Sequence, residues 1–255
     1  MVHQPLKVIY HPLYLTDYLT ASCETPERVA AIMSLLEKHY PVLEPSPASE
    51  SDVLMVHSPS ILRSVKDDDD LYKAAVMAVG GAITAAQMAC DGQPAFAAVR
   101  PPGHHASPSS HWGFCFFNNV AIAIEKLIRS KRIASALVLD IDLHFGDGTE
   151  NFFMDRRDVK VANIQDSDRE MFLRNVDKAL GSNDYDVVGI SAGFDRHQKD
   201  WGGTLTTDDY FTIGRSVRDH AEVKCGGRFF AVLEGGYNIE VLAENALALC
   251  KGMAT

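Results

Sequence analysis

Cysteines are few and unpaired in this sequence. The five, Cys23, Cys90, Cys115, Cys225 and Cys250, are odd in number, scattered, and never spaced as CxxC. That excludes a disulfide framework and a thiolate metal site, and fits reduced thiols in a cytoplasmic protein. Long apolar runs are also missing: no stretch of about 18 consecutive apolar residues occurs, so no membrane-spanning helix is expected. The N-terminal residues MVHQPLKVIYHPLYL lack the basic region, apolar run and small-residue cleavage site of a secretory leader. Positive charge is in the minority, 24 Lys and Arg against 34 Asp and Glu, for a net charge of −10. An acidic surface repels phosphate backbones, so direct nucleic-acid binding is not expected, while cationic partners are mildly favoured.

What is present fits one globular domain over residues 1–255, with 46% hydrophobic and 23% charged residues. Neither a repeat nor a low-complexity linker divides it. Short, nearly continuous apolar runs predict strands at 7–10, 53–56, 95–99, 136–141, 159–164, 186–191 and 228–233. Continuous rather than alternating character is expected of parallel strands covered on both faces. Helix signals lie between them. Thr25-Pro26 opens an apolar stripe at Val29, Ile32, Met33 and Leu36, Asn119 caps 120–129, Asp168 caps 169–180, and Thr207 starts a helix to about Val223. Residues 71–90 form a long helix in which Gly80-Gly81 marks close packing or a bend, and 67–70, four acids, reads as a solvated turn or helix start. Segment 41–51, rich in Pro, Ser and Glu, reads as a surface loop. The alternation argues for a single doubly wound α/β domain with a parallel sheet.

Four candidate strands run into unusual polar sequences: Arg100-Pro-Pro-Gly-His104-His105, Asp140-Ile-Asp142-Leu-His144-Phe-Gly-Asp147, Ala-Gly-Phe-Asp195, and Glu234-Gly-Gly-Tyr237-Asn238. Ligands in open α/β sheets bind beyond the carboxyl ends of strands, so the four ends are expected to converge on one crevice. If extended, 140–144 turns Asp140, Asp142 and His144 to one side, where Asp142 and His144 can share a divalent ion with Asp195. Two carboxylates, one imidazole and an open position suit a catalytic zinc. Alone, DxDxH fits equally a loop of solvated acids and helix caps. His104 and His105, with Asp140 and Asp147 to spare, make an acid/base pair, since a carboxylate fixes an imidazole tautomer and raises its basicity. Gly235 and Gly236 let backbone approach the crevice, where the Tyr237 phenol can donate to a developing oxyanion; a packing role for this tyrosine fits as well. Phe114, beside Gly113, can wall an apolar substrate channel, although the run from 114 to 117 also suits core packing.

In this order, RPPGHHA (100–106), GFCFFNN (113–119), DIDLHFGDG (140–148), GISAGFD (189–195) and LEGGYN (233–238) resemble the histone deacetylase family with its acetylpolyamine and acetoin-utilisation relatives. CETPERVAAI (23–32) and VHSPSIL (56–62) are weaker matches, and the wording of GISAGFD and LEGGYN is closer to class II than class I. The resemblance implies an arginase/deacetylase-like parallel α/β sandwich and a deacylase acting on acyl-lysine, acetylated polyamine or another small acyl-amide. It implies one zinc on Asp142, His144 and Asp195. His105 would be general base and later acid, His104 an electrostatic aid, with Asp140 and Asp147 orienting His104 and His105 and Tyr237 polarising the carbonyl. It also implies a potassium ion near the backbone of Asp140, Asp142 and His144 and the strand that follows. Three departures stand out. Phe145 replaces a second histidine; Ala162-Asn163-Ile164-Gln165-Asp166 stands where the family has Ser-x-His and a long Pro-Gly loop; the loop before the 71–90 helix is short. A compact member with a wide, shallow mouth is expected, unless another subunit closes it. Rival readings are a small-metabolite or polyamine deacylase with little protein activity, an arginase-like binuclear ureohydrolase, for which neither DAHxD nor SxDxDxxDP is present, and an inactive acyl-ligand binding module.

Overall fold

In the computed structural model, which describes residues 5–182 and 184–255, the chain forms one seven-stranded sheet with every strand pair parallel. Residues 1–4 of the N-terminal segment read for a leader lie outside the described residues. The strands are β1 (Lys7–Ile9), β2 (Val42–Leu43), β3 (Ala95–Ala97), β4 (Ala136–Asp140), β5 (Val159–Asn163), β6 (Val188–Ala192) and β7 (Phe229–Leu233). Between them run α1 (Pro26–Leu36), α2 (Glu50–Val53), α3 (Pro59–Lys66), α4 (Asp69–Cys90), α5 (Asn119–Arg129), α6 (Asp147–Phe153), α7 (Arg169–Gly181) and α8 (Thr207–Cys225). The last helix is α9 (Ile239–Ala254). Two helix groups cover the sheet: α4 with α5, and α1, α8 and α9 packed on one another.

The spatial strand order is β2-β1-β3-β7-β6-β4-β5. Thus β3, β7, β6 and β4, the strands that lead into the four polar sequences, are consecutive in the sheet, and being parallel they end on one edge. Their burial explains their composition. Every residue of β3, β4, β6 and β7 is buried, so each position except the terminal Asp140 of β4 is apolar or small on both faces.

Two sequence expectations fail here. Residues 53–56 are not a strand: Ser49 and Asp52 form a reciprocal capping box that starts the short helix α2, and the apolar run follows as its last turn. Within 41–51, read as loop throughout, Val42–Leu43 pairs with β1 as an exposed edge strand too short to show a pattern. Caps differ in detail. Asn118 rather than Asn119 caps α5, through Ala121 N, and Thr25 makes no side-chain cap at α1, which begins instead at Pro26. Asp68 caps α4 as a helix start should, and Asp168 caps α7.

Helix α4 is long and apolar enough, by length and composition, to cross a bilayer, but 72% of its most apolar window is buried within the fold. It is unbroken at Gly80-Gly81, and both glycines mark close packing. A Cβ on Gly80 would lie 2.0 Å from the Ser46 carbonyl oxygen, and one on Gly81 2.5 Å from the Tyr14 hydroxyl.

Candidate active site

Beyond β4 the chain does not continue extended. Asp140 Oδ1 accepts the Asp142 amide at 3.0 Å, and Asp142 Oδ1 accepts the His144 amide at 2.9 Å, so two successive side-chain turns bend 140–144 back on itself. This replaces the simple one-sided extended geometry, and it sorts the three residues. Asp140 is directed to His104, its Oδ2 being 3.0 Å from Nδ1, whereas Asp142 and His144 face Asp195. Donor atoms of Asp142, His144 and Asp195 lie within 4.8 Å of one another, with His144 Nδ1 3.0 Å from Asp195 Oδ2 and 3.2 Å from Asp142 Oδ1.

This set fits a divalent cation. Asp195 Oδ1 is taken by the Leu143 amide at 3.0 Å, while Oδ2 is fully buried and makes no hydrogen bond. Burial and the nearby Asp142 charge raise Asp195 to about 6, and the flanking Asp142 and Asp195 carboxylates raise His144 to about 10. The pair of buried carboxylates therefore draws positive charge to this point, as a metal site must before it is filled. A second group, His104, Cys115 and Glu234, also brings donor atoms within 4.8 Å of one another. It is a poorer metal set, since His104 Nδ1 is engaged by Asp140, Glu234 Oε2 accepts two backbone amides and the Cys115 thiol donates to the Gly113 carbonyl.

The two histidines stand side by side, ring centroids 4.0 Å apart, with different partners. His105 Nδ1 lies 2.7 Å from Asp147 Oδ1, which is at the start of α6. Burial opposes charge on His104, but Asp142 and Asp140 overcome it and hold His104 well above the usual range. Burial and the neighbouring His104 push His105 down to about 4. The turn presenting them is fastened by Glu234 Oε2, which accepts the Gly103 amide at 2.6 Å and the His104 amide at 3.1 Å.

The remaining sequence candidates gather around this centre. Gly113, at φ +59, leaves room for a ring that a Cβ would meet at 2.5 Å, at His105 Cδ2. Phe114 follows in the left-handed region at φ +65, a strained position that sets its ring edge-on to Tyr237 at 6.0 Å. Gly235 donates its amide to Asp142 Oδ2 at 2.8 Å, so it steadies a metal-type carboxylate. Gly236, at φ +118, passes its carbonyl to Arg28 Nε at 2.6 Å. Burial drives the Tyr237 phenol upward, so it stays a proton donor. Phe145, which replaces the second histidine of the family pattern, is 46% exposed.

Several residues here escaped the sequence reading. Trp112 lies against His105, centroids 3.9 Å apart, and its indole N–H donates to Asp147 Oδ2 at 2.8 Å. Trp201 stacks on Tyr237 at 4.1 Å and stands edge-on to His144 at 5.9 Å. Both tryptophans are 53% exposed. They are the chain's two tryptophans, and each adjoins a glycine, a signal that composition alone offered. Asp200 Oδ2 receives the amides of Tyr237 and Asn238, both at 2.8 Å. Arg28 reaches the Glu234 carbonyl at 2.6 Å, pairs with Glu24 at 3.0 Å and lies 4.8 Å from the Tyr237 ring centroid. Arg196, next to Asp195, donates to the carbonyls of Asp142, Leu143, Ile164 and Asp166. A separate cleft between α7 and α8, lined by Met171, Arg174 and Thr212 among others, shares no residue with this centre.

Comparison with known proteins gives a consistent picture. The histone deacetylase domain model matches residues 22–175 and 166–253. A probable deacetylase of Methanothermobacter thermautotrophicus is 29% identical, over 96% of this chain and 90% of its own. The acetylpolyamine amidohydrolase of Mycoplana ramosa is 28% identical, over 72% of this chain and 63% of its own. Among solved structures, the HD domain of HDA15 superposes with a TM-score of 0.86 at 22% identity, covering 97% of this chain and 89% of that one, a likeness of fold.

Proposed function

Because the chain belongs to the histone deacetylase family, a family of deacetylases and amidohydrolases, we propose that it is a zinc-dependent deacylase that hydrolyses an acyl-amide at the centre formed by Asp142, His144 and Asp195. One observation carries this reading: three metal-type donors within 4.8 Å, one of them the orphaned buried Asp195 Oδ2, directly beside two carboxylate-oriented histidines of opposite electrostatic bias. The poor quality of the second donor group favours one ion over the binuclear arrangement of an arginase-like enzyme.

When bound, the ion supplies Lewis acidity that polarises the scissile carbonyl and lowers the pKa of an attacking water. The chain's own residues do the rest. His105, kept neutral by burial and by its charged neighbour, takes the water proton on Nε2 because Nδ1 is engaged with Asp147. His104, held charged between Asp140 and Asp142, offsets negative charge as the water oxygen adds to the carbonyl carbon. The Tyr237 hydroxyl donates to the carbonyl oxygen, its ring held by Trp201 and its backbone by Asp200. As the C–N bond breaks, His105 returns its proton to the leaving amine.

The test is hydrolysis of an acetyl-lysine peptide by protein of measured zinc content. Tyr237→Phe and His105→Ala should each lower turnover by more than about tenfold with zinc retained. Asp195→Asn should lose the metal. Wild-type turnover in both of the first two variants sinks the assignment. A small acylated polyamine is the favoured substrate alternative, supported by the net charge of −10 and by two half-exposed indoles at the centre, surfaces suited to a flexible cation. Acetylspermidine and acetyl-lysine peptide assayed side by side separate the two.

A further inference from the structure

Arg196 has an unusual set of partners for a buried cation. It is 2% exposed, and the hydrogen bonds of its guanidinium end on backbone carbonyls: Nε on Asp142 at 3.1 Å, Nη1 on Asp166 at 3.1 Å, and Nη2 on Leu143 at 3.3 Å and Ile164 at 2.8 Å. Its remaining surface lies against the Phe172 ring of α7, 4.8 Å from the centroid. The carbonyls come from two segments, the bend carrying Asp142 and His144 and the stretch after β5. Buried carbonyl oxygens pointed at a common centre repel one another and are costly unless a donor or cation sits among them. A spherical monovalent ion answers that need by coordination; a planar, permanently charged fork with five N–H groups answers it by hydrogen bonding.

We propose that the Arg196 guanidinium is a built-in cation that occupies the carbonyl cage beside the metal ligands and serves there in place of a bound potassium ion. Arg196 follows Asp195 in the chain, while its donors grip the carbonyls of Asp142 and Leu143, the residues on either side of the peptide leading toward His144. One side chain, covalently linked to Asp195, thus ties the third donor by hydrogen bonds to the segment carrying the first two, with no ion to lose. Asn163 and Ile164 suit this arrangement. The Asn163 carboxamide oxygen accepts the Gly146 amide at 2.9 Å and the Ile164 carbonyl receives Arg196, so the stretch after β5 has its polar atoms satisfied from within. Arg196 is a positioning residue, acting on the ligand triangle rather than on substrate.

The test compares wild type, Arg196→Ala and Arg196→Lys in potassium chloride and in choline chloride at equal ionic strength. Two quantities are read: zinc affinity by chelator competition, and the melting temperature of the metal-free chain. Wild type should give the same values in both salts. Arg196→Ala should bind zinc about tenfold or more weakly in choline, with affinity restored saturably by potassium as the ion enters the vacated cage. Arg196→Lys, which keeps the charge but not the fork, should bind zinc more weakly than wild type and ignore the salt; it keeps the test readable if the alanine chain does not fold. A saturable rise of the wild-type melting temperature or zinc affinity with potassium overturns the proposal. So does an alanine variant with wild-type zinc affinity in choline, or a lysine variant that responds to potassium. The zinc readout rests on the proposed metal site; the metal-free melting comparison does not, so a chain that binds no zinc would sink that site and leave this comparison standing.

Discussion

Asp147 receives two ring N–H groups, from His105 and from Trp112, and the second sets how tightly it holds the first. A carboxylate relieved of one donor becomes a better acceptor for the other. Trp112→Phe keeps a ring against His105 but removes the indole N–H, so Asp147 should stabilise the His105 imidazolium more strongly. The acid limb of kcat/KM should then move up by about half a pH unit with zinc content unchanged, and a superimposable pH profile would show that the indole contributes only contact area. Sequence could name His105 and Asp147 because each sits in a run of chemistry-bearing residues. It could not pair Trp112 with Asp147, nor Arg196 with four carbonyls, since those partners come from loops whose approach is set by the sheet. The geometry that joins Asp142 to His144 was also illegible. The structure brings these side chains together, but the side-chain turns at Asp140 and Asp142 bend a segment that the alternation argument takes as extended.

Among elements, α4 shows packing overriding propensity. Gly80 costs roughly 1 kcal/mol of helix propensity relative to alanine. Yet a Cβ there would press on the Ser46 carbonyl at 2.0 Å and the Ala48 amide at 3.1 Å, both backbone atoms with little freedom to move. Gly80→Ala should therefore lower stability, by about 1–3 kcal/mol as overpacking outweighs the propensity gain, read by urea denaturation. An alanine variant more stable than wild type would mean that the segment from 46 to 48 yields easily. The central strands were legible from continuous apolar character because burial on both faces imposes it. At the periphery that constraint lapses. Val42 and Leu43 are exposed on an edge, and the run 53–56 is apolar without being a strand because Ser49 and Asp52 have already started a helix.

For the whole molecule, His57 couples acidity to global stability. It sits at the foot of α3, 3% exposed, with Nδ1 3.0 Å from the Ser107 carbonyl and Nε2 accepting the Asn118 amide at 2.8 Å. A neutral ring serves both contacts; a protonated one sets N–H against N–H. Burial lowers its pKa to about 4, whereas the unfolded chain titrates near 6.5. Between those values the unfolded state holds the extra proton, so stability falls as pH drops through that window, by up to about 3 kcal/mol near pH 4. His57→Gln, which keeps an acceptor and a donor without titrating, should show a shallower fall between pH 7 and 4.5 in denaturation curves; equal slopes would assign acid sensitivity to other groups.

The place of β7 has a consequence for how the protein is made. It is the last strand in the chain, at Phe229–Leu233, yet it lies between β3 and β6, in the middle of the finished sheet. A nascent chain leaving the ribosome carries two unsatisfied strand edges, on β3 and β6, and no Tyr237 until the other six strands of the sheet have been made. Vectorial folding therefore stalls at a split sheet, the stage most open to aggregation and most in need of a chaperone. A chain truncated before β7 leaves the crevice in two halves, because the missing strand is the wedge that brings them together.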